Sequence, residues 1–360
     1  MMRVKIEDVC MKGSSNLKQS DVVGKNGIYP VYGAAGYLGS IDSFKQSKPY
    51  VAVVKDGAGI GRAMLLPSNS SIIGTMQYLL PKDNILPEYL YYLIKAKHLE
   101  KYYSGATIPH IYFKDYKNEE FDLFSFEIQY QIINKLKIIE KIIEKQKKEM
   151  DLLDELVKAR FVEMFGDPVY NEKQWKVEQF GSLGEMKRGK SKHRPRNDPI
   201  LLGGKYPLIQ TGDISNSHIY IQTYKSTYSE EGLKQSKMWK AGTLCITIAA
   251  NIAESAILTF DACFPDSVVG FLPNDKVNSI FIHQWLDFLQ PILEENAPAV
   301  AQKNLNVATL EKVGIIVPPI ELQNQFADFV KEVDKSRLEV QKSLKKTQEL
   351  FDSLMQKYFG

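Results

Sequence analysis

The strongest concentration of positive charge lies in residues 187–196, near the middle of the chain. These residues read Lys-Arg-Gly-Lys-Ser-Lys-His-Arg-Pro-Arg, six cationic side chains in ten positions with no acidic residue. Such a segment can neutralise several DNA phosphates, which raises affinity without selecting a base sequence. Gly189 and Pro195 predict a loop here. The alternative interpretation is a solubilising surface loop.

A second kind of candidate site mixes apolar anchors with polar side chains. Residues 105–114 contain Thr107, His110 and Tyr112, and residues 299–308 contain Gln302, Lys303 and Asn304. Gln and Asn can pair with adenine in the major groove of DNA, and Lys with guanine. A structural loop without base contacts is the alternative for each of these residues. The candidate DNA-binding residues are Lys55, Arg62, Thr107, His110, Tyr112, Lys114, Lys187, Arg188, Lys190, Lys192, Arg194, Arg196, Asn251, Gln302, Lys303 and Asn304.

Motifs of catalytic sites are absent from the sequence. Residues 55–62 resemble a nucleotide-binding loop, but Arg62 stands where a dinucleotide fingerprint needs glycine, so a tight hairpin or a strand corner is expected. The five histidines are scattered without zinc-site spacing, and no P-loop occurs. The sequence therefore predicts a recognition protein that is not an enzyme and has neither a metal site nor a cofactor of its own.

Two segments must position these candidate residues, because each predicts a long helix with one apolar stripe. Hydrophobic residues recur at alternating spacings of four and three, which places them on one side of a helix. The stripe of the first segment consists of Ile132, Leu136, Ile139, Ile143, Met150, Leu153, Val157 and Met164. The stripe of the second consists of Phe326, Val330, Val333, Val340, Leu344, Phe351, Leu354 and Tyr358. Gln146, Arg160, Arg337 and Thr347 interrupt the stripes.

The second stripe repeats the first at a constant offset of 194 residues, which also relates Glu127 to Glu321 and Phe165 to Phe359. The regions before the helices match more weakly. A duplication follows, with predicted boundaries at 1–124 and 167–317 for two similar domains, and at 125–166 and 318–360 for the helices. Short β-rich stretches separated by Gly, Pro, Asn and Asp, together with a few helices, predict an α+β fold for each domain.

Each long helix needs a partner for its stripe. A helix of about 34 residues is about 51 Å long, and its eight apolar side chains would otherwise face water. The nearest matching stripe belongs to the other copy, so we expect the two helices to pair within the chain as a coiled coil. Packing of each helix on its own domain, or on another chain, is the alternative.

Length and composition agree with a two-domain protein. The chain has 360 residues, 44% of them hydrophobic, and a formal charge of +3. This charge is too small to identify a nucleic-acid binder by itself. The three cysteines, Cys10, Cys245 and Cys263, form neither a CxxC pair nor a Cys/His cluster, and no signal peptide or apolar spanning segment occurs. We therefore expect a cytoplasmic protein.

The whole arrangement resembles the specificity subunit of type I restriction-modification systems. Residues 319–323, Pro-Ile-Glu-Leu-Gln, with Phe326 resemble the entry to the spacer helix of that family, whereas residues 125–129 lack the proline. Residues 164–168, Met-Phe-Gly-Asp-Pro, followed by Trp175, and residues 105–110 also resemble that family.

The resemblance implies two target-recognition domains, each reading one half of a split target in double-stranded DNA. It implies that the two helices form an antiparallel coiled coil that acts as a spacer and helps to seat two modification subunits. These subunits carry S-adenosylmethionine and methylate adenine, and restriction or translocase subunits can join them. The alternative function is a coiled-coil adaptor that binds proteins and has no DNA specificity.

Overall fold

The computed structural model describes residues 2–105, 109–249, 252–295 and 306–360, with the backbone alone for 292–295. The chain forms two compact units. The first unit contains Met1–Lys148 together with Val340–Gly360, and the second contains Glu149–Glu339. Each unit therefore contains one domain and a part of both long helices.

The strands of the described residues fall into two series. Those of the first domain are β1 (Met2–Lys5), β2 (Cys10–Ser14), β3 (Tyr29–Gly33), β4 (Gly36–Ile41), β5 (Tyr50–Val54), β6 (Ala63–Leu66), β7 (Ser71–Ile72), β8 (Met76–Pro81) and β9 (Glu120–Leu123). Those of the second domain are β10 (Val177–Gln179), β11 (Gly184–Arg188), β12 (Leu202–Leu208), β13 (Tyr220–Ile221), β14 (Ser226–Tyr228), β15 (Met238–Trp239), β16 (Leu244–Thr247), β17 (Ser255–Leu258), β18 (Ala262–Cys263), β19 (Val268–Pro273) and β20 (Gly314–Ile316).

The α-helices of the described residues include two that are much longer than the others. In chain order they are α1 (Ile6–Val9), α2 (Pro87–Ala96), α3 (Phe113–Tyr116), α4 (Phe126–Phe165), α5 (Thr211–Ser215), α6 (Glu230–Lys234), α7 (Ser279–Glu295), α8 (Val307–Glu311) and α9 (Ile320–Phe359). The long helices α4 and α9 span 40 residues each.

The strands that both domains possess follow the same sheet order, and the second domain adds one edge strand to each sheet, β13 and β15. In the first, one sheet has the order β2-β8-β5-β6 and a second has the order β4-β3-β7. In the second, the corresponding orders are β11-β19-β16-β17-β13 and β14-β12-β18-β15. In both domains the strand before the long helix pairs with the first strand, as β1 with β9 and β10 with β20. The predicted α+β duplication is confirmed.

The central strands form because they are continuous apolar runs covered on both faces. All residues of β5 and of β16 are buried. Helix α2 begins at Pro87, which suits the first turn of a helix because proline has no amide hydrogen to leave unpaired. The chain between β5 and β6 is a hairpin, since the two strands pair antiparallel from Val53 with Ala63 onwards, but its connection over residues 54–62 is longer than that of a tight hairpin.

One local prediction was wrong. Lys187 and Arg188 do not belong to the loop expected for residues 187–196, because they end strand β11, where Arg188 pairs with Val269 of β19. The alternating burial of β11 explains this, since Met186 is buried in the core while its neighbours face outward.

Segments of the two long helices pair antiparallel within each unit. In the second unit, Asp154 near the start of its α4 segment meets Arg337 near the end of its α9 segment, with an N–O distance of 3.0 Å. At the other end of the same pair of segments, the rings of Phe165 and Phe326 lie 5.6 Å apart. In the first unit, the Gln146 side-chain amide donates to Ser343 Oγ at 2.8 Å. The predicted antiparallel coiled coil is confirmed.

The sixteen residues predicted for the coiled-coil interface are all buried or half-buried. The fully buried ones are Ile132, Leu136, Ile139, Ile143, Val157, Phe326, Val330, Val333 and Phe351. The half-buried ones are Met150, Leu153, Met164, Val340, Leu344, Leu354 and Tyr358. The apolar face is wider than the predicted stripe, because Ile133, Phe161 and Met355 are buried too. Phe161, for example, contacts Phe281 and Phe288 of α7 as well as Phe326 of the other long helix.

A buried glutamine near the start of each long helix joins that helix to its own domain. The Gln129 side chain accepts from the Leu86 amide at 2.9 Å and donates to the carbonyls of Asn84 and Phe124. Gln323, its copy at the 194 offset, accepts from the Asn278 amide at 2.9 Å and donates to the carbonyls of Lys276 and Pro318. Because both glutamines are 0% exposed, each satisfies three main-chain groups that water does not reach.

The compact units differ from the four predicted segments, since the unit boundaries cut both helices near their middle. The helices themselves run over Phe126–Phe165 and Ile320–Phe359, against the predicted ranges 125–166 and 318–360. The units divide in this way because an antiparallel partner brings the last turns of α9 onto the first domain. The ring of Phe359 lies 4.9 Å from that of Tyr89.

Candidate nucleic-acid interface

Four candidate residues of the first domain are linked by a chain of contacts at the end of β5. The Ile111 amide donates to the Lys55 carbonyl at 2.9 Å, which holds residues 109–112 beside the β5–β6 hairpin. The ring of Tyr112 stacks on that of His110 with a centroid separation of 6.4 Å, and Lys114 Nζ lies 5.4 Å from the Tyr112 ring. Lys55, His110, Tyr112 and Lys114 thus form one group, which we call the first-domain cluster.

An acidic residue orients the histidine of this cluster. His110 Nδ1 lies 2.6 Å from Asp56 Oδ1, and Asp56 also lies 3.5 Å from Lys55 Nζ. When Nδ1–H donates to the carboxylate, Nε2 is left as an acceptor in the neutral ring or a donor in the charged ring. The imidazole is 37% exposed, so this nitrogen can reach a ligand. Acceptor and donor groups of this kind can pair with base edges in the major groove.

Arg62 lies at the base of the same hairpin but points elsewhere. Its carbonyl accepts from the Val54 amide at 2.9 Å, whereas its guanidinium donates to the Ala34 carbonyl at 3.2 Å. The neighbouring Gly61 has φ +82°, and a Cβ there would meet the Glu100 backbone nitrogen at 2.5 Å. Glycine is therefore required for the close approach that shapes this hairpin.

Three arginines of the basic segment converge on Asp266 in the second domain. Arg194 and Arg196 both pair with the side chain of Asp266, and Arg188 donates to its carbonyl oxygen. Arg194 also donates to the Ser191 carbonyl at 2.6 Å. One acid among three cations leaves a positive excess, and the shared partner orders the guanidinium groups before a ligand arrives.

The backbone of the basic segment is also held in place. Gln235 Oε1 accepts from the Lys192 amide at 2.6 Å and the His193 amide at 3.1 Å, while Ser236 Oγ donates to the Lys190 carbonyl. The side chains of Lys190 and Lys192 remain exposed.

Two acidic residues flank the basic segment. The Ile200 amide and His193, which lies 2.8 Å from the carboxylate, lower the pKa of Asp198. The Lys187 ammonium pairs with Glu185 and lowers the pKa of that carboxyl. Both acids therefore stay charged at neutral pH, and an exposed pair such as Lys187 with Glu185 exchanges readily for a stronger anionic ligand.

Sequence reasoning missed Asp56, Gln235 and Asp266, which orient the cationic and aromatic side chains. Asp266 follows the basic segment by about 70 residues, at 70 from Arg196 and 78 from Arg188. No local pattern in the sequence links these positions. The predicted residues Thr107, Asn251, Gln302, Lys303 and Asn304 lie outside the described residues.

The described part of the chain offers little to a catalytic interpretation. No group of three metal-ligating side chains occurs within it. The three cysteines are free and buried, and burial raises the pKa of Cys10 to about 12, which makes its thiolate inaccessible. No helix in the described ranges has the length and apolar character needed to cross a bilayer.

Comparison with known proteins identifies the family. The family model of the type I restriction modification DNA specificity domain matches residues 1–150 and again residues 172–350. The chain belongs to this family. The two matches also reproduce the duplication seen in the sheets and helices.

Relatives and a solved structure agree with this assignment. The type I restriction enzyme MjaIX specificity subunit of Methanocaldococcus jannaschii is 24% identical over 313 residues, 78% of this chain and 69% of the relative. The MjaVIII specificity subunit of the same organism is 22% identical over 338 residues, 83% and 77% of the two chains. The crystal structure of an S subunit from M. genitalium has a TM-score of 0.62 and 17% identity, covering 100% of this chain and 96% of that one. This last similarity shows the fold.

Membership of the specificity family favours DNA recognition over the coiled-coil adaptor. The first-domain cluster and the basic segment are the parts of the described chain with the side-chain chemistry for that task.

Proposed function

We propose that this chain is the DNA-reading subunit of a type I restriction-modification system and recognises a bipartite target. The observation that carries the proposal is the repetition of one scaffold with different exposed side chains. Both domains share their sheet order and their buried glutamine, yet the first has an Asp56–His110 pair and the second has arginines around Asp266. Two domains that share a scaffold but expose different side chains can recognise two different half-sequences.

The first-domain cluster and the basic segment supply complementary contacts in this proposal. His110 and Tyr112 offer an imidazole and a phenol to base edges, while Arg188, Arg194 and Arg196 offer charge to phosphates. The paired helices α4 and α9 act as the spacer between the half-sites, and their outer faces seat two modification subunits.

The chemistry belongs to the partners. Adenine methylation requires S-adenosylmethionine, which we assign to the modification subunits, and DNA translocation and cleavage to restriction subunits. This chain itself is not a catalyst. Because its ligand is cellular DNA, we place the complex in the cytoplasm.

Selection from a pool of random duplexes tests the proposal. The chain with its modification subunits should recover two short conserved sequences separated by an unread gap of fixed length. Binding should weaken steeply with salt, because Lys and Arg displace counterions from phosphates. A single contiguous sequence, or no preference at all, would contradict the proposal.

The spacer role has a sharper test. Residues 143–149 and 340–346 are opposed, because Gln146 donates to Ser343. Deleting both heptads keeps each apolar stripe continuous and shortens the pair by about 10 Å, which corresponds to about 3 base pairs. The gap should shorten while both half-sequences persist. Inserting one heptad at the same places should lengthen it, and a change in either half-sequence would sink the spacer idea.

A further inference from the structure

A small cavity lies beneath the basic segment in the second domain. Its volume is 230 Å³ and its lining combines four apolar side chains with six polar ones. Leu202, Leu208, Tyr228 and Pro265 supply the apolar part. Ser191, Arg196, Asn197, Gln210, Thr211 and Ser267 supply the polar part. This volume is below the range of about 300–1,000 Å³ typical of sites for drug-sized ligands, so it suits one small group.

One hydroxyl in this cavity lacks a hydrogen-bond partner. Ser191 is 6% exposed, and its Oγ is buried and meets no donor or acceptor among the described residues. Buried polar atoms are almost always paired, so this hydroxyl has a free position for a partner and can be turned toward the cavity by rotation about the Cα–Cβ bond.

The same place in the first domain is filled. Strands β3 and β12 pair with their neighbours in the same way. Val31 of the first domain therefore corresponds to Leu208 of the second, and Ile41 corresponds to Tyr228. The pairing of β2 with β8 matches that of β11 with β19. Continuing this alignment past the strand ends makes Leu17 the counterpart of Ser191. In the first domain Leu17, Val31, Ile41 and Ile73 form a closed apolar cluster with Val22. The scaffold can therefore close this space, and the cavity results from the side chains of the second copy.

The polar groups of the cavity can supply several hydrogen-bond donors next to positive charge. The hydroxyls of Ser191, Thr211 and Ser267 can each donate, and Arg196 stands at the cavity with donors beyond those bound to Asp266. Arg194 pairs with the same carboxylate, and Arg188 donates to the main-chain carbonyl of Asp266. Donors in a positive field bind oxyanions, so the chemistry favours a phosphate group.

Two parts of a DNA strand carry acceptors that could enter this cavity, a base and a phosphate. A base must leave its stack before it can enter a protein pocket, which costs free energy, whereas phosphates already lie on the outside of the duplex. We propose that the second domain binds one DNA backbone phosphate in this cavity. The assignment of the phosphate to DNA rests on the proposed function. In the first domain Leu17 and its neighbours fill the corresponding space, so we expect no phosphate there.

The test uses Ser191→Leu, which places the side chain of the first domain in the cavity. Titration of the full chain with inorganic phosphate, followed by NMR of the Ser191 region, should show saturable binding that Ser191→Leu removes. Lys312→Gln is the matched control, since it removes one exposed charge from the same domain and lies outside both the basic segment and the cavity lining. It should keep phosphate binding. Equal phosphate binding by the wild type and Ser191→Leu would overturn the proposal.

A second measurement identifies the source of the phosphate. Duplexes with a single neutral methylphosphonate at each position are compared for the wild type. One methylphosphonate position beside the second half-sequence should weaken binding by the wild type about 10-fold. Ser191→Leu should bind every other duplex about 10-fold more weakly than the wild type does, and should bind the duplex modified at that position as weakly as the wild type does. Additive losses, or phosphate binding without a sensitive position, would overturn the assignment to DNA.

Two controls distinguish failure of this inference from failure of the proposed function. If thermal unfolding shows that Ser191→Leu is misfolded, Arg196→Gln takes its place, because Arg196 is exposed and its loss leaves the core intact. If the wild type selects no DNA sequence, the proposed function fails, whereas the phosphate titration still decides whether the cavity binds an oxyanion.

Discussion

The two domains share a scaffold but differ in what fills it. Both have the same sheet order, and each is joined to its long helix by a buried glutamine. In the first domain Leu17, Val31 and Ile41 fill the space that corresponds to the cavity. In the second domain the same space is a polar cavity beside arginines. The comparison indicates that buried hydrogen bonds and strand register preserve the fold, so loop side chains are free to acquire different ligands.

The packing of the long helices differs between the units, and this difference gives the largest predicted effect. In the second unit Phe161 is surrounded by rings, at 5.0 Å from Phe165, 5.4 Å from Phe281 and 5.4 Å from Phe326. Its copy at the 194 offset is Met355. Phe161→Ala should cost about 4 kcal/mol of unfolding free energy and Met355→Ala about 2 kcal/mol, because rigid rings collapse poorly into a cavity.

Urea unfolding measures these losses separately in the two units. All three tryptophans, Trp175, Trp239 and Trp285, lie in the second unit, so their fluorescence reports Phe161→Ala. Hydrogen exchange of the β5 amides reports Met355→Ala in the first unit. Equal losses would mean that the aromatic cluster adds no stability beyond that of its copy.

The buried glutamines test whether the two copies are equivalent. Gln129→Met and Gln323→Met should each cost about 3 kcal/mol, because one amide and two carbonyls of the main chain lose their partner in a buried site. The exposed neighbours Gln131 and Gln325 are matched controls, and methionine there should change stability by less than about 0.5 kcal/mol. A loss in only one domain would break the equivalence.

A substitution at His110 tests whether the two domains recognise their half-sequences independently. His110→Ala should relax one position of the first half-sequence by about 1–3 kcal/mol and leave the second half-sequence unchanged. Selection from random duplexes measures both halves in one experiment. His98→Ala is the control, since His98 belongs to the same domain and is exposed but lies outside the first-domain cluster. Changes in both halves would show that the domains do not read independently.

A buried histidine predicts a smaller difference, in the response to acid. Burial lowers the pKa of His283, which contacts Ser255 Oγ through Nδ1 and feels Asp287 and His218. Below about pH 6.5 this histidine binds a proton in the unfolded chain but not in the folded chain. The free energy of unfolding therefore decreases as the pH is lowered. The second unit should therefore lose stability progressively as the pH is lowered from 7 to 5.

Tryptophan fluorescence during urea unfolding at several pH values measures this loss. His283→Gln should remove most of the pH dependence because glutamine does not titrate. The corresponding position of the first domain, at an offset of 192, is Tyr91. The first domain has no imidazole at this position, so hydrogen exchange in the first unit should respond less to acid. An unchanged slope in His283→Gln would assign the effect to another group.

The amino-acid sequence by itself determined the repeat and the paired helices. A stripe such as Ile132, Leu136 and Ile139 is a local pattern, and a buried run such as that of β5 is continuous, so both can be read without knowing the fold. The offset of 194 residues then predicted that the two stripes belong together.

Only the tertiary structure decided how the candidate side chains are arranged. Asp266 meets Arg196 across 70 residues of sequence, and Asp56 meets His110 across 54, contacts that depend on strand register and loop paths. The cavity beside Ser191 likewise arises where several strands and loops fail to fill a space. Local periodicity specifies helices and strands, but the position of a polar group depends on everything that packs around it.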